Sequence, residues 1–380
     1  MIRKRELWIK KIESAWKTRS IVWLTGVRRV GKTTLVKMFK NALYLNCDLP
    51  SVARRLEDPE FFYENVSDDT IIIFDEVHRV KDPSILLKIG ADNFPKLKIL
   101  ATGSSTLSAT KKFRDSLTGR KRVVFLPPVL WTETKEIFNI KDLDYRLLRG
   151  GLPELLLLDE KDNSLYSEWI DSFYARDIQN LFNIRNRKGF IKLFQLLLKQ
   201  SGGIVNYSKL ANLCEISRPT VLSHTSMMEI ANAIFFLNPF HGGSRREFTQ
   251  KSKIYAFDTG FVTFVKGWNN IRAEDRGILW EHLVLDILRV NFDNKNIFYW
   301  RDKSGKEIDF ILKENDNMVH TIECKISSDT LKTKSLKKFR SIYPKGKNFV
   351  LSPNIKEQYK LKKNGIILNF ISTKDIANLI

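Results

Sequence analysis

Eight residues near the N-terminus constrain the fold of this 380-residue chain more than any other segment does. They read GVRRVGKT, from Gly26 to Thr33, and fit the pattern G-x-x-x-x-G-K-[ST]. An apolar run, Ile21–Thr25, precedes them and a helical pattern over 34–39 follows, which is the context that this pattern requires. In such a loop, backbone N–H groups turn inward on a β-phosphate, and the following helix adds the positive end of its dipole. The sequence therefore predicts a phosphate-binding loop.

The side chains of this loop have predicted roles of their own. Lys32 is expected to reach the β- and γ-phosphates of a nucleotide, and the Thr33 hydroxyl is expected to bind Mg²⁺. The predicted nucleotide-binding residues are Gly26, Arg28, Arg29, Gly31, Lys32, Thr33 and Thr34.

A second motif follows the loop, where four apolar residues lead into Asp75 and Glu76. Asp75, at the end of a buried strand, is expected to hold Mg²⁺ through water. Glu76 is placed to orient and deprotonate the attacking water. Together with Lys32, these carboxylates predict an ATPase with ATP and Mg²⁺ as its cofactors.

Two further residues are candidates for the same site. Ser104 follows the next predicted strand and would sense the γ-phosphate, and a polar cap of a turn is the alternative role, considered for Ser105. Arg120 is a candidate arginine finger that reaches a neighbouring subunit's nucleotide, and a plain surface arginine is the alternative.

The N-terminal 130 residues alternate short apolar runs with helical patterns, which is typical of a parallel α/β sheet. The predicted strands are Ile21–Thr25, Ala42–Asn46, 70–75, Lys98–Thr102 and 123–126. Three further units are predicted, a helical lid over 131–200, a winged-helix domain over 201–270 and a small α/β domain over 271–380.

The winged-helix prediction depends on a helix at 207–213, a turn, a helix that starts from an N-cap at Ser217, and a basic strand over 245–257. Arg218 and its neighbours would open a recognition helix on DNA, and Arg245 and Arg246 would enter the adjacent groove. A regulatory lid or a protein contact is the alternative role of this domain.

Acidic residues and a lysine follow a D…E-x-K pattern in the C-terminal unit. Asp309 lies in a predicted strand at 306–312, and Glu323 and Lys325 lie in the next, at 319–325. Glu323 and Lys325 share one face of their strand because side chains alternate with period two. With Glu281 from the preceding helix, these carboxylates would hold Mg²⁺ for phosphodiester hydrolysis, and Lys325 would position the water. An ion-pair cluster that binds DNA without cutting it is the alternative.

Net charge is the informative part of the composition. The chain carries +21, and residues 326–380 hold twelve Lys or Arg against three acidic residues. Such an excess favours nucleic acid as a partner, against the alternative of a lysine-rich proteome. Three dispersed cysteines indicate a reducing compartment, and without a long apolar run or a signal-peptide pattern the expected location is the cytoplasm.

Several segments together resemble a known family: GVRRVGKTTL, IIIFDEVH, ATGSSTLS, SLTGRKRVVFLPPVLWTE and GGLPE. They are similar to prokaryotic ATPases of the AAA+ superfamily that carry a winged helix and a C-terminal domain of unassigned function. The resemblance covers nearly the whole chain and implies an ASCE-type P-loop core with Glu76 as the hydrolytic carboxylate. A homo-oligomer, for example a hexameric ring, is compatible with it. The C-terminal pattern resembles the PD-(D/E)xK nuclease fold, a restriction-endonuclease-like domain, with Glu281, Asp309, Glu323 and Lys325 matching.

Three functions follow from these patterns. The first is an ATP-regulated, metal-dependent DNA nuclease or DNA-processing ATPase that acts on branched or foreign DNA. The second is a nucleotide-gated DNA-binding or signalling switch with an inactive nuclease-like domain. The third is a protein-remodelling machine whose basic surface is incidental.

Overall fold

A computed structural model describes residues 3–103, 111–179, 182, 184, 186–242, 251–316, 318–327 and 331–379. Five parallel strands form its N-terminal sheet in the order β2-β3-β4-β1-β5. The strands are β1 Ile21–Thr25, β2 Ala42–Asn46, β3 Ile71–Asp75, β4 Lys98–Thr102 and β5 Lys121–Phe125. The helices of this region are α1 Glu6–Trp16, α2 Lys32–Val36, α3 Pro50–Arg55, α4 Pro59–Glu64, α5 Pro83–Asn93 and α6 Lys111–Leu117. The predicted α/β fold with the parallel sheet of a P-loop NTPase is confirmed.

The position of β4 matters for function. It lies between β1 and β3, so the carboxyl ends of these three strands meet at one edge of the sheet. All five side chains of β1 are buried, as expected of a parallel strand that is covered on both faces. The phosphate-binding loop and Asp75 therefore start from neighbouring points on a rigid, buried platform.

The fifth strand differs from its predicted bounds of 123–126. It pairs with β1 from Lys121, opposite Ile21, to Phe125, opposite Thr25. As an edge strand it is only partly covered, and its first residues are polar. The prediction began two residues late because it relied on the apolar run, whereas the strand starts with the polar residues Lys121 and Arg122.

Helices dominate the next region. They are α7 Trp131–Glu136, α8 Leu143–Arg149, α9 Pro153–Leu156, α10 Asn163–Phe173 and α11 Arg187–Lys199, with a π-helical segment, Tyr174–Gln179, directly after α10. The buried carboxylate of Asp258 accepts a hydrogen bond from the backbone N–H of Gly151 at 2.6 Å, and this contact fixes the loop before α9.

Two helices and a two-stranded antiparallel sheet follow: α12 Tyr207–Cys214, α13 Arg218–Ile230, β6 Ile234–Leu237 and β7 Lys253–Ala256. The predicted N-cap is present, since the Ser217 hydroxyl accepts a hydrogen bond from the Thr220 N–H at 3.2 Å. The described strand β7 is shorter than the predicted 245–257, and Arg245 and Arg246 lie outside the described residues.

The C-terminal region contains a six-stranded mixed sheet in the order β12-β13-β11-β10-β9-β8. Helices α14 Thr259–Val265 and α15 Ala273–Asn291 precede it, and α16 Lys334–Ile342 connects β10 to β11. The strands are β8 Ile297–Arg301, β9 Glu307–Asn315, β10 Met318–Cys324, β11 Asn348–Leu351, β12 Tyr359–Lys363 and β13 Ile366–Ile371. Strands β8, β9 and β10 are antiparallel neighbours, whereas β11 runs parallel to β10.

One hydrophobic core runs through all these regions. It includes Trp8 and Val22 of the N-terminal region, Trp169 of the helical region, and Trp280 and Leu351 of the C-terminal region. The functional sites therefore lie in parts of the molecule that are packed on one another. In the described part of the chain, no helix has the length and apolarity that crossing a membrane requires.

Candidate functional site

The phosphate-binding loop turns sharply between β1 and α2. Gly26 and Gly31 have φ angles of 154° and 97°, and a Cβ atom on Gly26 would lie 2.3 Å from the carbonyl oxygen of Leu126. Side chains are therefore excluded at Gly26 by conformation and by space. This backbone places Lys32 and Thr33 in the first turn of α2, as the sequence predicts.

Lys32 folds back over the loop. Its Nζ donates hydrogen bonds to the carbonyl oxygens of Gly26 at 2.8 Å and Val27 at 3.1 Å. Burial lowers the pKa of Lys32, whereas the charges of Glu76 and Asp177 raise it. The ammonium group thus has only weak neutral acceptors in contact, and the oxygens of a phosphate would be stronger ones.

Asp75 is held in place by two hydroxyl groups. Its carboxylate, in a residue only 2% exposed, accepts hydrogen bonds from Tyr44 at 2.7 Å and from Thr102 at 2.5 Å. Burial, followed by the hydrogen bond to Asp75, raises the pKa of Tyr44, so that the phenol stays a donor. The sequence did not single out Tyr44 or Thr102; the available signal was that each is a hydroxyl-bearing residue in a predicted strand.

Glu76 leaves the strand in a left-handed conformation with φ of 57°, which a non-glycine residue adopts rarely. The Glu76 N–H donates to the Thr102 hydroxyl at 2.9 Å, and this contact supports the turn. The Glu76 carboxylate lies 3.2 Å from Nδ1 of His78 and lines the same cavity as Lys32. Burial lowers the pKa of His78, and the charge of Glu76 opposes that shift.

The cavity has a volume of about 640 Å³. Its lining includes the phosphate-binding loop and residues from other elements, namely Glu76, His78, Pro153, Arg176 and Asp177. A smaller cavity of about 190 Å³ shares Gly31, Thr34 and Pro153 with it and has the apolar walls Leu35, Met38, Phe138 and Leu157. A charged cavity beside an apolar one suits a ligand with a polyphosphate at one end and a flat apolar ring at the other.

Arg28 and Arg29 line the main cavity, but their side chains contact the helical region. Arg28 lies 3.2 Å from a carboxylate oxygen of Asp177, and Arg29 is ion-paired with Glu168. The loop is therefore tied to α10 and to the π-helical segment after it. Nucleotide contacts by these two residues stay a prediction.

Two predicted residues lie outside this cavity or outside the described residues. Arg120 directly precedes β5, at the amino ends of the parallel strands, whereas the loop lies at their carboxyl ends. Arg120 makes a bidentate ion pair with Asp92, at 2.6 and 2.9 Å. Its reach to a neighbouring subunit, and the ring that this would require, stay predictions. Ser104 lies outside the described residues.

The C-terminal constellation comes together as predicted from strand alternation. Lys325 Nζ lies 2.7 Å from a carboxylate oxygen of Glu323 and 3.2 Å from one of Asp309. Asp309 also accepts a hydrogen bond from the backbone N–H of Cys324 at 2.7 Å. Asp309, Glu323 and Lys325 thus form one cluster across the β9–β10 pair.

Glu281 reaches the neighbourhood of this cluster from α15, but its contacts were not foreseen. Lys253 of β7 lies 3.0 Å from Glu281 and 2.5 Å from Glu307, and the Tyr255 hydroxyl is hydrogen-bonded to the same oxygen of Glu281. Lys253 is only 3% exposed. The one sequence signal was a lysine at the start of the apolar string IYAF.

The carboxylates of this cluster repel one another. Burial, and then the charge of Asp309, raise the pKa of Glu323 to about 8. Burial raises the pKa of Glu281 to about 7, where Lys253 opposes the shift and Asp309 adds to it. Ionisation of these buried carboxylates is therefore disfavoured, and the positive charges beside them are the ammonium groups of Lys253 and Lys325.

Metal binding can be judged from these contacts. In the nucleotide site, the Thr33 hydroxyl and the Asp75 carboxylate are oxygen donors of the kind that Mg²⁺ prefers. In the C-terminal cluster the carboxylate oxygens are also of the kind that Mg²⁺ prefers, but Lys253 and Lys325 form ion pairs with them. Across the described ranges, no three His, Cys, Asp or Glu side chains are grouped so that they could hold a metal ion. The C-terminal cluster in this arrangement does not fit the predicted metal site.

Comparison with known families agrees with the nucleotide site. Residues 18–135 match the family described as AAA domain. Residues 140–272 and 276–372 match two families that are each described as a domain of unknown function, DUF8612 and DUF4143.

Similar proteins occur in archaea and bacteria. MJ1544 of Methanocaldococcus jannaschii is 26% identical over 350 residues, which span 83% of this chain and 76% of that protein. Rv2008c of Mycobacterium tuberculosis is 26% identical over 303 residues, 77% of this chain and 67% of that protein. Both are described as uncharacterized proteins. Among solved structures, the Walker-type ATPase PABY2304 of Pyrococcus abyssi is 16% identical, with a TM-score of 0.46 over 70% of this chain and 96% of that one.

The AAA-domain match and the joint placement of Lys32, Thr33, Asp75 and Glu76 lead to one conclusion. Residues 18–135 form a P-loop ATPase domain.

Proposed function

We propose that this protein uses ATP binding and hydrolysis to control its contacts with DNA, and that its C-terminal cluster belongs to a nuclease-like site. The observation that carries the ATP part is the single cavity that contains Lys32, Thr33 and Glu76, with Asp75 anchored behind it. Tests of that part are the Lys32 and Glu76 substitutions described in the Discussion.

The chemistry of the nucleotide site follows from the contacts. Loop N–H groups and the N-terminus of α2 bind the phosphates, and Lys32 moves from backbone carbonyls to phosphate oxygens. Thr33 and Asp75 would hold Mg²⁺, which neutralises charge on the β- and γ-phosphates. Glu76 accepts the proton of the attacking water, and the small apolar cavity receives the base. The hydroxyl groups of Tyr44 and Thr102 keep Asp75 oriented throughout.

The basic C-terminal region supports DNA as the partner. Exposed lysines lie on β12 and around α16, and they include Lys332, Lys334, Lys337, Lys360 and Lys362. At the start of α13, Ser217 and Arg218 are also exposed, as a winged helix that contacts DNA requires. A cationic face of this kind binds phosphates and loses affinity as salt rises.

Anisotropy of labelled duplex DNA tests this partner directly. We expect DNA affinity to fall steeply with salt, and the double substitution Lys360→Ala/Lys362→Ala to reduce both the affinity and the salt slope. A matched control is Lys96→Ala, an exposed lysine on the N-terminal region that pairs with Asp68. Salt-independent binding, or equal losses in the two variants, would exclude this face. ATPase stimulation by a protein and not by DNA would favour a remodelling machine instead.

Nuclease activity is the finer part of the proposal. The proximity of Asp309, Glu323 and Lys325 supports it, as does the element order α15-β8-β9-β10-α16-β11 around them. The engagement of all these side chains by one another favours the alternative, a nucleotide-gated switch that binds DNA without cutting.

A panel of linear, forked, four-way and single-stranded DNA, incubated with Mg²⁺ or Mn²⁺, with and without ATP, separates the two. Cutting that disappears in Lys325→Ala and Asp309→Ala, while ATP hydrolysis persists, would identify the nuclease site. DNA binding without cutting on every substrate would identify the switch. Cleavage that survives both substitutions would place the activity elsewhere.

A further inference from the structure

Strand β7 belongs to the β6–β7 pair, yet it delivers a charged side chain to the C-terminal cluster. Lys253 Nζ is 3.0 Å from Glu281 and 2.5 Å from Glu307, so it bridges a carboxylate of α15 and one of β9. Its ammonium group also lies 5.4 Å from the ring centre of Tyr299. The lysine therefore has contacts with three separate elements of the C-terminal region.

The backbone around Lys253 fixes this position. Strand β7 is hydrogen-bonded along its length to β6, with Lys253 opposite Leu237. On the other side of β7, the Ile254 N–H donates to the carbonyl oxygen of Gly203 at 2.9 Å. The Tyr299 hydroxyl donates to the carbonyl oxygen of Lys251. Lys253 is thus a built-in part of the cluster and not a mobile surface side chain.

The numbers of carboxylates and ammonium groups in the cluster indicate which kind of ion Lys253 could replace. Four carboxylates interact here, those of Glu281, Glu307, Asp309 and Glu323, against the two ammonium groups of Lys253 and Lys325. If all four carboxylates were ionised, the cluster would have two negative charges in excess, which is the charge of one divalent cation; such a cation would therefore favour their ionised forms. Lys253 and Lys325 each contact one oxygen of two of the carboxylates that would bind such a cation.

We propose that Lys253 is an internal competitor of a divalent metal ion, and that its ammonium group closes the Glu281–Glu307 side of the cluster. This inference builds on the nuclease-like site proposed above. It explains why the oxygen donors of the cluster do not converge as metal ligands. A metal ion would enter when Lys253 withdraws from Glu281 and Glu307.

The opposite role for Lys253, a residue that orients Glu281 for metal binding, predicts the opposite result. If Lys253 competes, removing its charge raises metal affinity; if it orients, removing it lowers metal affinity. The sign of one measured change therefore decides between them.

The experiment is calorimetric titration of the full chain with Mn²⁺ in the absence of nucleotide. We expect Lys253→Met to bind Mn²⁺ at least tenfold more tightly than the unsubstituted chain, and Glu281→Gln in the same background to abolish that gain. Lys192→Met is the matched control, since Lys192 forms an exposed pair with Glu215 at 3.3 Å and should leave Mn²⁺ affinity unchanged. Equal or weaker Mn²⁺ binding by folded Lys253→Met, or a gain that survives Glu281→Gln, would overturn the proposal.

Loss of a buried lysine leaves uncompensated carboxylates, so Lys253→Met could unfold. Thermal unfolding of Lys253→Met and Lys253→Gln with and without Mn²⁺ covers that outcome. We expect Mn²⁺ to raise the melting temperature of these variants and to leave that of Lys192→Met unchanged; variants that Mn²⁺ does not stabilise would refute the competition. Because DNA cleavage is not the readout, a gain of Mn²⁺ affinity in a chain that never cuts DNA would keep this inference and remove the nuclease activity.

Discussion

The nucleotide site and the C-terminal cluster both combine lysines with carboxylates, but they leave their charges in different states. Lys32 contacts only backbone carbonyls at the edge of an open cavity of about 640 Å³. Lys253 and Lys325 instead neutralise carboxylates within a closed cluster. The first site is preorganised for an anionic ligand, whereas the second must break ion pairs before it can bind a cation. Preorganisation lowers the free-energy cost of ligand binding, so the nucleotide site can bind its ligand without first breaking ion pairs between side chains.

The largest effect is expected from Lys32→Ala, which removes the ammonium group of the nucleotide site. Removing the ammonium group takes away contacts to both the β- and γ-phosphates, so kcat/KM for ATP should fall by more than ~1,000-fold. Phosphate release measures this loss, and the exposed Lys40→Ala is the control. Hydrolysis that persists in Lys32→Ala would mean that another site hydrolyses the ATP.

Glu76→Gln should separate binding from hydrolysis. The amide keeps the shape but cannot accept the proton of the attacking water, so we expect turnover to fall by about 100-fold with nucleotide affinity retained. Single-turnover hydrolysis and nucleotide titration report the two quantities, with the exposed Glu57→Gln as control. Unchanged turnover would remove Glu76 from the role of base.

Asp258→Asn tests the connection between the two sites. Asp258 follows β7 closely and accepts hydrogen bonds from Gly151 at 2.6 Å and Gly260 at 2.7 Å, and the Gly151 loop continues into Pro153 of the nucleotide cavity. Loss of the buried charge should lower the free energy of unfolding by about 2 kcal/mol and weaken nucleotide binding.

Asp162→Asn is the matched control for this change, because Asp162 caps α10 from an exposed position. Urea denaturation should show a smaller loss for Asp162→Asn, with nucleotide affinity unchanged. Equal losses in the two variants would mean that the buried contact with Gly151 is not special.

The smallest effect, taken per pH unit, is the pH dependence of the stability of the C-terminal cluster. Burial and Asp309 raise the pKa of Glu323 to about 8, above the ordinary value of 4.5. The folded chain therefore keeps a proton that the unfolded chain releases, and stability should decrease as pH rises from about 4.5 to about 8. One such proton contributes at most about 1.4 kcal/mol per pH unit. Denaturation across this range should show a shallower slope for Glu323→Gln, and an unchanged slope would show that Glu323 has the same pKa in the folded and unfolded chain.

Local sequence patterns were sufficient to predict the phosphate-binding loop and the two carboxylates of the nucleotide site. GVRRVGKT and the apolar run before Asp75 predicted the loop, its strand and the two carboxylates, because each feature depends on residues close together in the sequence. Tyr44 and Thr102 were missed because their role depends on which strands become neighbours in the sheet. Strand β12 was missed for another reason: its YKLKK sequence is mostly exposed at the sheet edge, so it has no apolar pattern to detect.

The sequence by itself determined the parallel α/β core, the ATP-binding loop, and the pairing of Asp309 with Glu323 and Lys325 across adjacent strands. All of these follow from short-range spacing and from the alternation of side chains along a strand. Only the tertiary structure decided that Lys253, from a different unit of the chain, would occupy the carboxylate cluster. That contact joins residues 28 positions apart in the sequence, through the packing of β7 against α15, and no local periodicity encodes it.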